Sequence, residues 1–183
     1  MGKIAIHGRR IAPESIQYVE DIISIIQANG REIYVSPGIS GIDVDKDLFS
    51  DFPKYEPRKE MGQFEAVFSL GGDGTLLETL THVGSSEVPI LGINLGRLGF
   101  LAVISKENIA DALEAYFQGN YTYEDRSLLE LTTSNNLFGE ENYALNEFAI
   151  LRKDTSSMIT VKSYLDGEFL NTYWVDGLMV ATP

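Results

Sequence analysis

Residues 71–75 read Gly-Gly-Asp-Gly-Thr, and this pentapeptide constrains the chain more than any other feature. It directly follows the apolar run 66–70, whose continuous apolar character is typical of a buried strand in a parallel sheet. Glycine has no Cβ to keep a ligand at a distance, and successive backbone N–H groups in such a turn bind anionic oxygens. A helix starting at Thr75 would add its positive N-terminal end. The pattern predicts a phosphate-binding turn between a strand and a helix.

The aspartate in this turn indicates that the turn takes part in a reaction. A carboxylate beside phosphates repels them unless Mg²⁺ or a substrate hydroxyl lies between the two. Asp73 therefore predicts phosphoryl transfer to an alcohol, with the carboxylate taking the proton. The alternative is a purely structural strand-to-helix turn, which needs neither the third glycine nor the aspartate.

Composition narrows the class of protein. The net charge of −13 argues against a nucleic acid or an anionic membrane as the partner. Nucleotides stay compatible, because Mg²⁺ and local N–H groups can offset charge within one pocket. The chain has no cysteine, which excludes disulfides and thiolate metal sites. This absence fits a reducing cytoplasm, and no apolar run suits a signal peptide or a membrane span.

The first part of the chain alternates strand-like and helix-like segments. The expected strands are 3–7, 32–35, 64–70 and 88–93, and the expected helices are 13–29, 75–83 and 106–117. This alternation predicts right-handed βαβ units, and therefore an α/β, Rossmann-like parallel-sheet domain over residues 1–119. Ligands bind beyond the carboxyl ends of such strands, where the 71–75 turn and the loop after Ile93 both lie.

From residue 120 the helical periodicity disappears. Short strand-like runs follow at 128–133, 143–151, 158–165, 168–175 and 178–181. They predict the beginning of a β-rich, β-sandwich-like second domain over 120–183, with a hairpin turn at Asp166-Gly167. The last residues directly follow a strand, which would leave an open sheet edge, so we expect this domain to be incomplete.

Three further groups carry polar or aromatic side chains of interest. In the glycine-containing loop 92–101, core packing is the favoured role of Phe100, and stacking on a base is the alternative. Asn146-Glu147 interrupts an apolar run and is either exposed on an edge or bound to ribose hydroxyls. For Asp176-Gly177 a simple turn is favoured, and Trp174 is expected to pack.

The two histidines show no spacing with Asp or Glu that suggests a zinc site. We expect His7 and His82 to be separate surface or satisfied structural residues. Arg9 and Arg10 follow the first strand. Their side chains either reach a phosphate or are simply solvated, and the sequence favours neither alternative.

Four motifs in this order resemble the NAD kinase (ATP-NAD kinase) family over essentially the whole chain. They are GGDGT at 71–75, NLGRLGFL at 94–101, LNEF at 145–148 and DGLMVATP at 176–183. The first motif alone is shared with diacylglycerol and sphingosine kinases and, more distantly, with phosphofructokinases. The second and third motifs are what select the NAD kinase family.

This resemblance implies transfer of the terminal phosphate of ATP, or of polyphosphate, to the 2′-hydroxyl of the adenosine ribose of NAD. It implies Mg²⁺ with the donor, a cytoplasmic homo-oligomer (a dimer or a tetramer), and Asp73 as general base. The phosphate-binding residues it implies are Gly71, Gly72, Gly74 and Thr75. The NAD-binding residues it implies are Asp73, Gly74, Phe100, Asn146, Glu147 and Asp176.

The chain departs from the family pattern at two places. Family members usually continue after the equivalent of Pro183 into a Thr/Ser-Gly-Ser/Thr-Thr-Ala-Tyr segment. Many also carry a basic residue where this chain has Trp174, which affects contacts with the donor. The alternatives to this interpretation are a lipid or other small-alcohol kinase that shares the turn, and a nucleotide-binding module without catalysis.

Overall fold

The computed structural model describes residues 2–43, 46–97, 99–153 and 157–182. It divides into two compact units, Met1–Tyr123 and Glu124–Pro183. The first contains parallel strands with helices and the second contains antiparallel strands, which confirms the predicted fold class. Among the described residues, no helix has both the length and the apolar character that spanning a bilayer requires.

The first unit is built on a four-stranded parallel sheet. Its elements are β1 (Lys3–Gly8), α1 (Ile16–Ala28), β2 (Glu32–Val35), β3 (Ile42–Asp43), β4 (Lys46–Asp47), β5 (Ala66–Leu70), α2 (Asp73–Val83), β6 (Ile90–Ile93) and α3 (Ile109–Phe117). The large sheet has the order β2-β1-β5-β6, whereas β3 and β4 form a small antiparallel ladder.

The two faces of this sheet have separate apolar cores, because side chains alternate along a strand. Ile4 and Ile6 of β1 belong to one core together with the apolar faces of α1 and α3. Ala5, between them, belongs to the other core together with Tyr55 and Val83. Helix α2 packs on this second face, against β1, β5 and β6. The sheet is therefore covered on both sides, as its apolar strands predict.

The strand order reverses between β1 and β5. From β1 the chain moves outward to β2, and then returns to the other side of β1 as β5. Gly8 lies opposite Leu70, and Leu70 lies opposite Ile93, so three strands end at the same edge. In open parallel sheets this switch point is where ligands bind, and the 71–75 turn starts there.

The second unit consists of antiparallel pairs. Its strands are β7 (Leu128–Glu130), β8 (Tyr143–Leu145), β9 (Glu147–Leu151), β10 (Ile159–Leu165), β11 (Glu168–Val175) and β12 (Gly177–Ala181). They pair as β7–β8, β9–β12 and β10–β11. The predicted hairpin turn joins β10 to β11, with φ of 50° at Asp166 and 87° at Gly167. Positive φ at both positions is the signature of a type I′ turn.

Two expectations for this unit were wrong. The run 143–151 is not one strand, because Asn146 adopts a φ of 77° and separates β8 from β9. Asparagine tolerates this left-handed region better than most residues. Trp174 does not pack in a core of the described residues, since its side chain is 73% exposed.

Candidate functional site

The 71–75 turn leads directly into α2, which begins at Asp73, two residues before the expected start. The Gly72 carbonyl accepts hydrogen bonds from the N–H groups of Thr75 (3.0 Å) and Leu76 (3.2 Å), so the helical ladder starts there. No side chain of a described residue caps this helix end. The N–H groups of this helix end that come before Thr75 have no intrahelical acceptor, and they give the end its partial positive charge.

Packing requires glycine at one position of the turn but not at the other two. A Cβ on Gly71 would lie 2.3 Å from Oγ1 of Thr75, so the fold itself excludes a side chain there. A Cβ on Gly72 or Gly74 would meet no atom of the described part of the chain within 4 Å. Packing therefore does not require glycine at these two positions, and the space beside them is open to a ligand that approaches the backbone.

The carboxylate of Asp73 is bound to the loop that follows β6. Oδ2 accepts the N–H of Phe100 at 2.8 Å, and Oδ1 accepts those of Leu101 (3.0 Å) and Ala102 (3.1 Å). These bonds, led by the one from Phe100, hold the pKa of Asp73 below its usual value, because they stabilise the charged form. An ionised carboxylate has about four lone-pair positions, so about one stays available to a further donor.

Two residues that we did not assign from the sequence make this contact possible. A Cβ on Gly99 would lie 2.3 Å from Oδ1 and 2.4 Å from Oδ2 of Asp73. Asn94 is buried and holds the loop through its amide, donating to the Arg97 carbonyl at 2.9 Å and accepting the Gly96 N–H at 2.8 Å. The glycines of the loop did indicate a close backbone approach, but not that its target is a protein carboxylate.

The expected core packing of Phe100 was wrong, since its side chain is 93% exposed. The residue is fixed through its backbone N–H on Asp73 rather than through its ring. At the carboxyl edge of the sheet, the ionised carboxylate is therefore contacted by the backbone of a residue whose ring is exposed.

The other predicted site residues lie in the second unit and are described within it. Asn146 and Glu147 are exposed at the start of β9, where the Asn146 carbonyl accepts the Thr182 N–H at 2.8 Å. Asp176 lies at the opposite end of the β9–β12 ladder, and its Oδ1 pairs with Nη1 of Arg152 at 2.9 Å. A strand rises about 3.4 Å per residue, so the two ends are about 14 Å apart.

The expectation of two separate histidines was also wrong. The rings of His7 on β1 and His82 on α2 have centroids 4.3 Å apart, and Oε2 of Glu78 lies 3.7 Å from Nε2 of His7. His7 is buried, and neither of its ring nitrogens has a hydrogen-bond partner among the described residues. Arg9 and Arg10 are both exposed, and Arg9 forms an ion pair with Glu78.

The observations define an α/β domain that carries a glycine turn, a helix start and a fixed carboxylate at its topological switch point. The family profile described as "ATP-NAD kinase N-terminal domain" matches residues 4–121, and the chain belongs to this family.

Similar proteins agree with this assignment. The chain is 39% identical over 181 residues to an NAD kinase of Cytophaga hutchinsonii, covering 98% of this chain and 62% of the relative. It is 42% identical over 185 residues to an NAD kinase of Flavobacterium johnsoniae, covering 99% of this chain and 63% of the relative. The chain thus spans less than two thirds of the length of these relatives.

Two solved structures share the fold. Yeast NADH kinase complexed with NADH superposes with a TM-score of 0.71 at 21% identity, over 99% of this chain and 57% of that one. An NAD kinase from Archaeoglobus fulgidus in complex with ATP superposes with a TM-score of 0.69 at 23% identity, over 98% of this chain and 60% of that one.

Proposed function

We propose that the protein is an NAD kinase, which transfers the terminal phosphate of ATP to the 2′-hydroxyl of the adenosine ribose of NAD and forms NADP. The observation that carries this proposal is the junction of the glycine turn, the start of α2 and the Asp73 carboxylate. The similarity to two NAD kinases supports it, and so do the complexes of the two structural neighbours with NADH and with ATP.

The donor phosphates would approach the turn at Gly72 and Gly74, where the backbone is not shielded by side chains. The positive end of α2 favours negative charge there. Mg²⁺ would neutralise the transferring phosphate. Among the described residues, the one group of three His, Asp or Glu side chains able to hold a metal does not include Asp73. We therefore expect oxygens of the donor to supply most ligands of the Mg²⁺. Polyphosphate is the second donor that we propose.

Asp73 would accept a hydrogen bond from the 2′-hydroxyl through its remaining lone-pair position. Its low pKa keeps it ionised at neutral pH but makes it a weak base. This suits phosphoryl transfer, whose loose transition state needs little proton removal at an early stage. Asp73 would orient the hydroxyl first and take its proton late in the reaction.

NAD would use the aromatic and polar side chains that the family resemblance implies. The exposed ring of Phe100 would stack on adenine, next to the carboxylate that receives the ribose hydroxyl. Asn146 and Glu147 would bind the adenosine half, and Asp176 the half that carries nicotinamide. The separation of about 14 Å between the two ends of the β9–β12 ladder fits two halves of one dinucleotide.

We further propose a cytoplasmic homo-oligomer. Leu151, Trp174 and Met179 of the second unit are between 62% and 73% exposed, so each leaves apolar area open to a further part of the protein or to another subunit. The absence of cysteine fits a reducing compartment.

The test is NADP formation from NAD, ATP and Mg²⁺ by the protein expressed from its complete reading frame. Asp73→Asn should lower turnover by about 10²–10⁴-fold. Asp111→Asn, which changes an exposed aspartate in the first turn of α3, should leave it unchanged. No NADP from a folded protein would refute the proposal. Phosphorylation of diacylglycerol instead would identify a lipid kinase, and nucleotide binding without turnover would identify a binding module.

A further inference from the structure

His7, Glu78 and His82 form a side-chain cluster that the proposed reaction does not use. One ligand atom from each of the three lies within 4.8 Å of the other two. Glu78 and His82 are four residues apart on α2 and therefore share one helix face. His7 approaches this face from β1, beneath α2.

The state of His7 is what needs an explanation. Its ring is 2% exposed, and both ring nitrogens lack a hydrogen-bond partner among the described residues. Burying a polar ring in this way costs free energy unless something else binds it. The carboxylate of Glu78 and the ring of His82 lie beside it, so the polar groups converge on one point.

We propose that His7, Glu78 and His82 bind a divalent transition-metal ion, with Zn²⁺ as the representative case. Two imidazole nitrogens and one carboxylate oxygen are a ligand set that Zn²⁺ accepts, and a fourth position would hold water. Zn–N and Zn–O distances near 2 Å put ligand atoms about 3.3 Å apart in a tetrahedron. Side-chain rotation of the order of 1 Å closes the observed cluster to that size.

The chemistry separates this site from the Mg²⁺ of the proposed reaction. Imidazole nitrogen favours Zn²⁺ and similar ions, whereas Mg²⁺ prefers an all-oxygen shell. The 183 residues contain two histidines and no cysteine, and both histidines meet in this cluster. Burial, followed by the neighbouring His82, lowers the pKa of His7 to about 4, so its ring is neutral at pH 7. A neutral imidazole is the form that ligates metals.

Two neighbouring side chains affect how the cluster would bind a metal. The hydroxyl of Tyr55 is 3.0 Å from Nδ1 of His82, a contact that orients the ring and directs Nε2 away from it. Arg9 pairs with Glu78 and places a positive charge beside the expected cation. The Arg9 side chain is 68% exposed, so it can swing into solvent when a metal binds.

The ion would connect β1 to α2 below the glycine turn. Glu78 lies five residues after Asp73 on α2, which corresponds to about 7.5 Å along the helix axis. The metal would therefore be structural. It would stabilise the first unit and fix the helix that carries Asp73, without contacting a substrate.

The experiment is titration of the metal-depleted protein, expressed from its complete reading frame, with Zn²⁺ alone. Calorimetry would give the affinity, and thermal unfolding would give the stabilisation. We expect one Zn²⁺ per chain at this site and a Tm rise of about 5–10 °C when free Zn²⁺ is 100-fold above Kd. Co²⁺ in its place should show the visible absorption of a tetrahedral nitrogen–oxygen site.

Four variants locate the ion. His7→Val should fold at least as stably without metal, because it removes an unpaired buried ring, and should weaken Zn²⁺ binding by at least about 100-fold. His82→Gln should also weaken Zn²⁺ binding by at least about 100-fold. Arg9→Gln should tighten binding, since it removes the competing cation. Glu20→Gln, on α1, is the matched control for a partly buried helix carboxylate and should change nothing.

The proposal is overturned by any of three results. The first is that Zn²⁺ does not bind, or that it binds equally to the wild type and to His7→Val, which would indicate surface carboxylates. The second is that Zn²⁺ binds without raising the Tm of the wild type. The third is that Arg9→Gln weakens Zn²⁺ binding, which would show that the ion does not use Glu78. None of these measurements requires a substrate, so they are independent of the proposed kinase activity.

Discussion

The replacement of Gly99 by alanine tests how the candidate site is held together. Gly99 precedes the loop residues whose N–H groups bind Asp73. An added Cβ would lie 2.3 Å and 2.4 Å from the two carboxylate oxygens. Ordinary contacts at a Cβ begin near 3.4 Å, so the loop or the carboxylate must move by about 1 Å.

A shift of this size breaks the anchoring bonds. The three N–H···O distances are now 2.8, 3.0 and 3.1 Å, and an added 1 Å takes each beyond the range of a hydrogen bond. Misplacement of a reacting group by about 1 Å can lower the rate about 10²-fold. We therefore expect Gly99→Ala to lower kcat/KM for NAD by about 10²-fold, although Asp73 itself is unchanged.

The assay is NADP formation with thermal unfolding alongside, in the protein expressed from its complete reading frame. Gly96→Ala is the control in the same loop, because its Cβ would come no closer than 3.9 Å to Oδ1 of Asn94. This control should keep nearly full activity. Equal activity of Gly99→Ala and Gly96→Ala would refute the view that loop contact positions Asp73.

Three further predictions follow from the described contacts. Gly72→Ala should raise the KM for ATP without lowering Tm, because its Cβ meets no atom of the described residues; a fall in Tm with an unchanged KM would contradict this. The depressed pKa of Asp73 stabilises the fold fully above about pH 4 and loses this effect as pH falls through the folded-state pKa. The free energies of urea unfolding of the wild type and of Asp73→Asn should therefore differ by a constant amount above about pH 5 and converge at lower pH. Thr79→Val removes a buried hydroxyl that bonds the Thr75 carbonyl and the Ser69 hydroxyl, both at 2.8 Å, and should cost about 1–3 kcal/mol in urea unfolding.

Local patterns were sufficient to predict most of the first unit. The isoleucines and valine of α1 recur at helical spacing, and five of them are buried on one face. The continuous apolar run before the glycine turn became β5, a strand buried along its whole length. The start of α2 was predicted late, because the N-cap role of Gly72 depends on backbone hydrogen bonds rather than on a side-chain signal.

The candidate site was predicted only where it is continuous in sequence. The turn and its aspartate were found, but the partners of Asp73 lie 27 to 29 residues away and use backbone N–H groups, which have no residue-type signature. For the same reason His7 and Glu78 could not be paired from spacing, since sheet topology alone brings β1 under α2. The exposure of Phe100 also depends on the loop conformation that Asp73 imposes.

Helix α2 is therefore positioned at two levels by groups that come from other elements. At its first residue, Asp73 accepts three N–H bonds from the loop after β6. Farther along, Glu78 and His82 meet the buried ring of His7 on β1. A helix held at one level can still tilt about that point, whereas a helix held at two levels keeps its N-terminal end fixed relative to the sheet. The proposed phosphate site is made of backbone N–H groups and needs this, because its donors cannot adjust by changing rotamer.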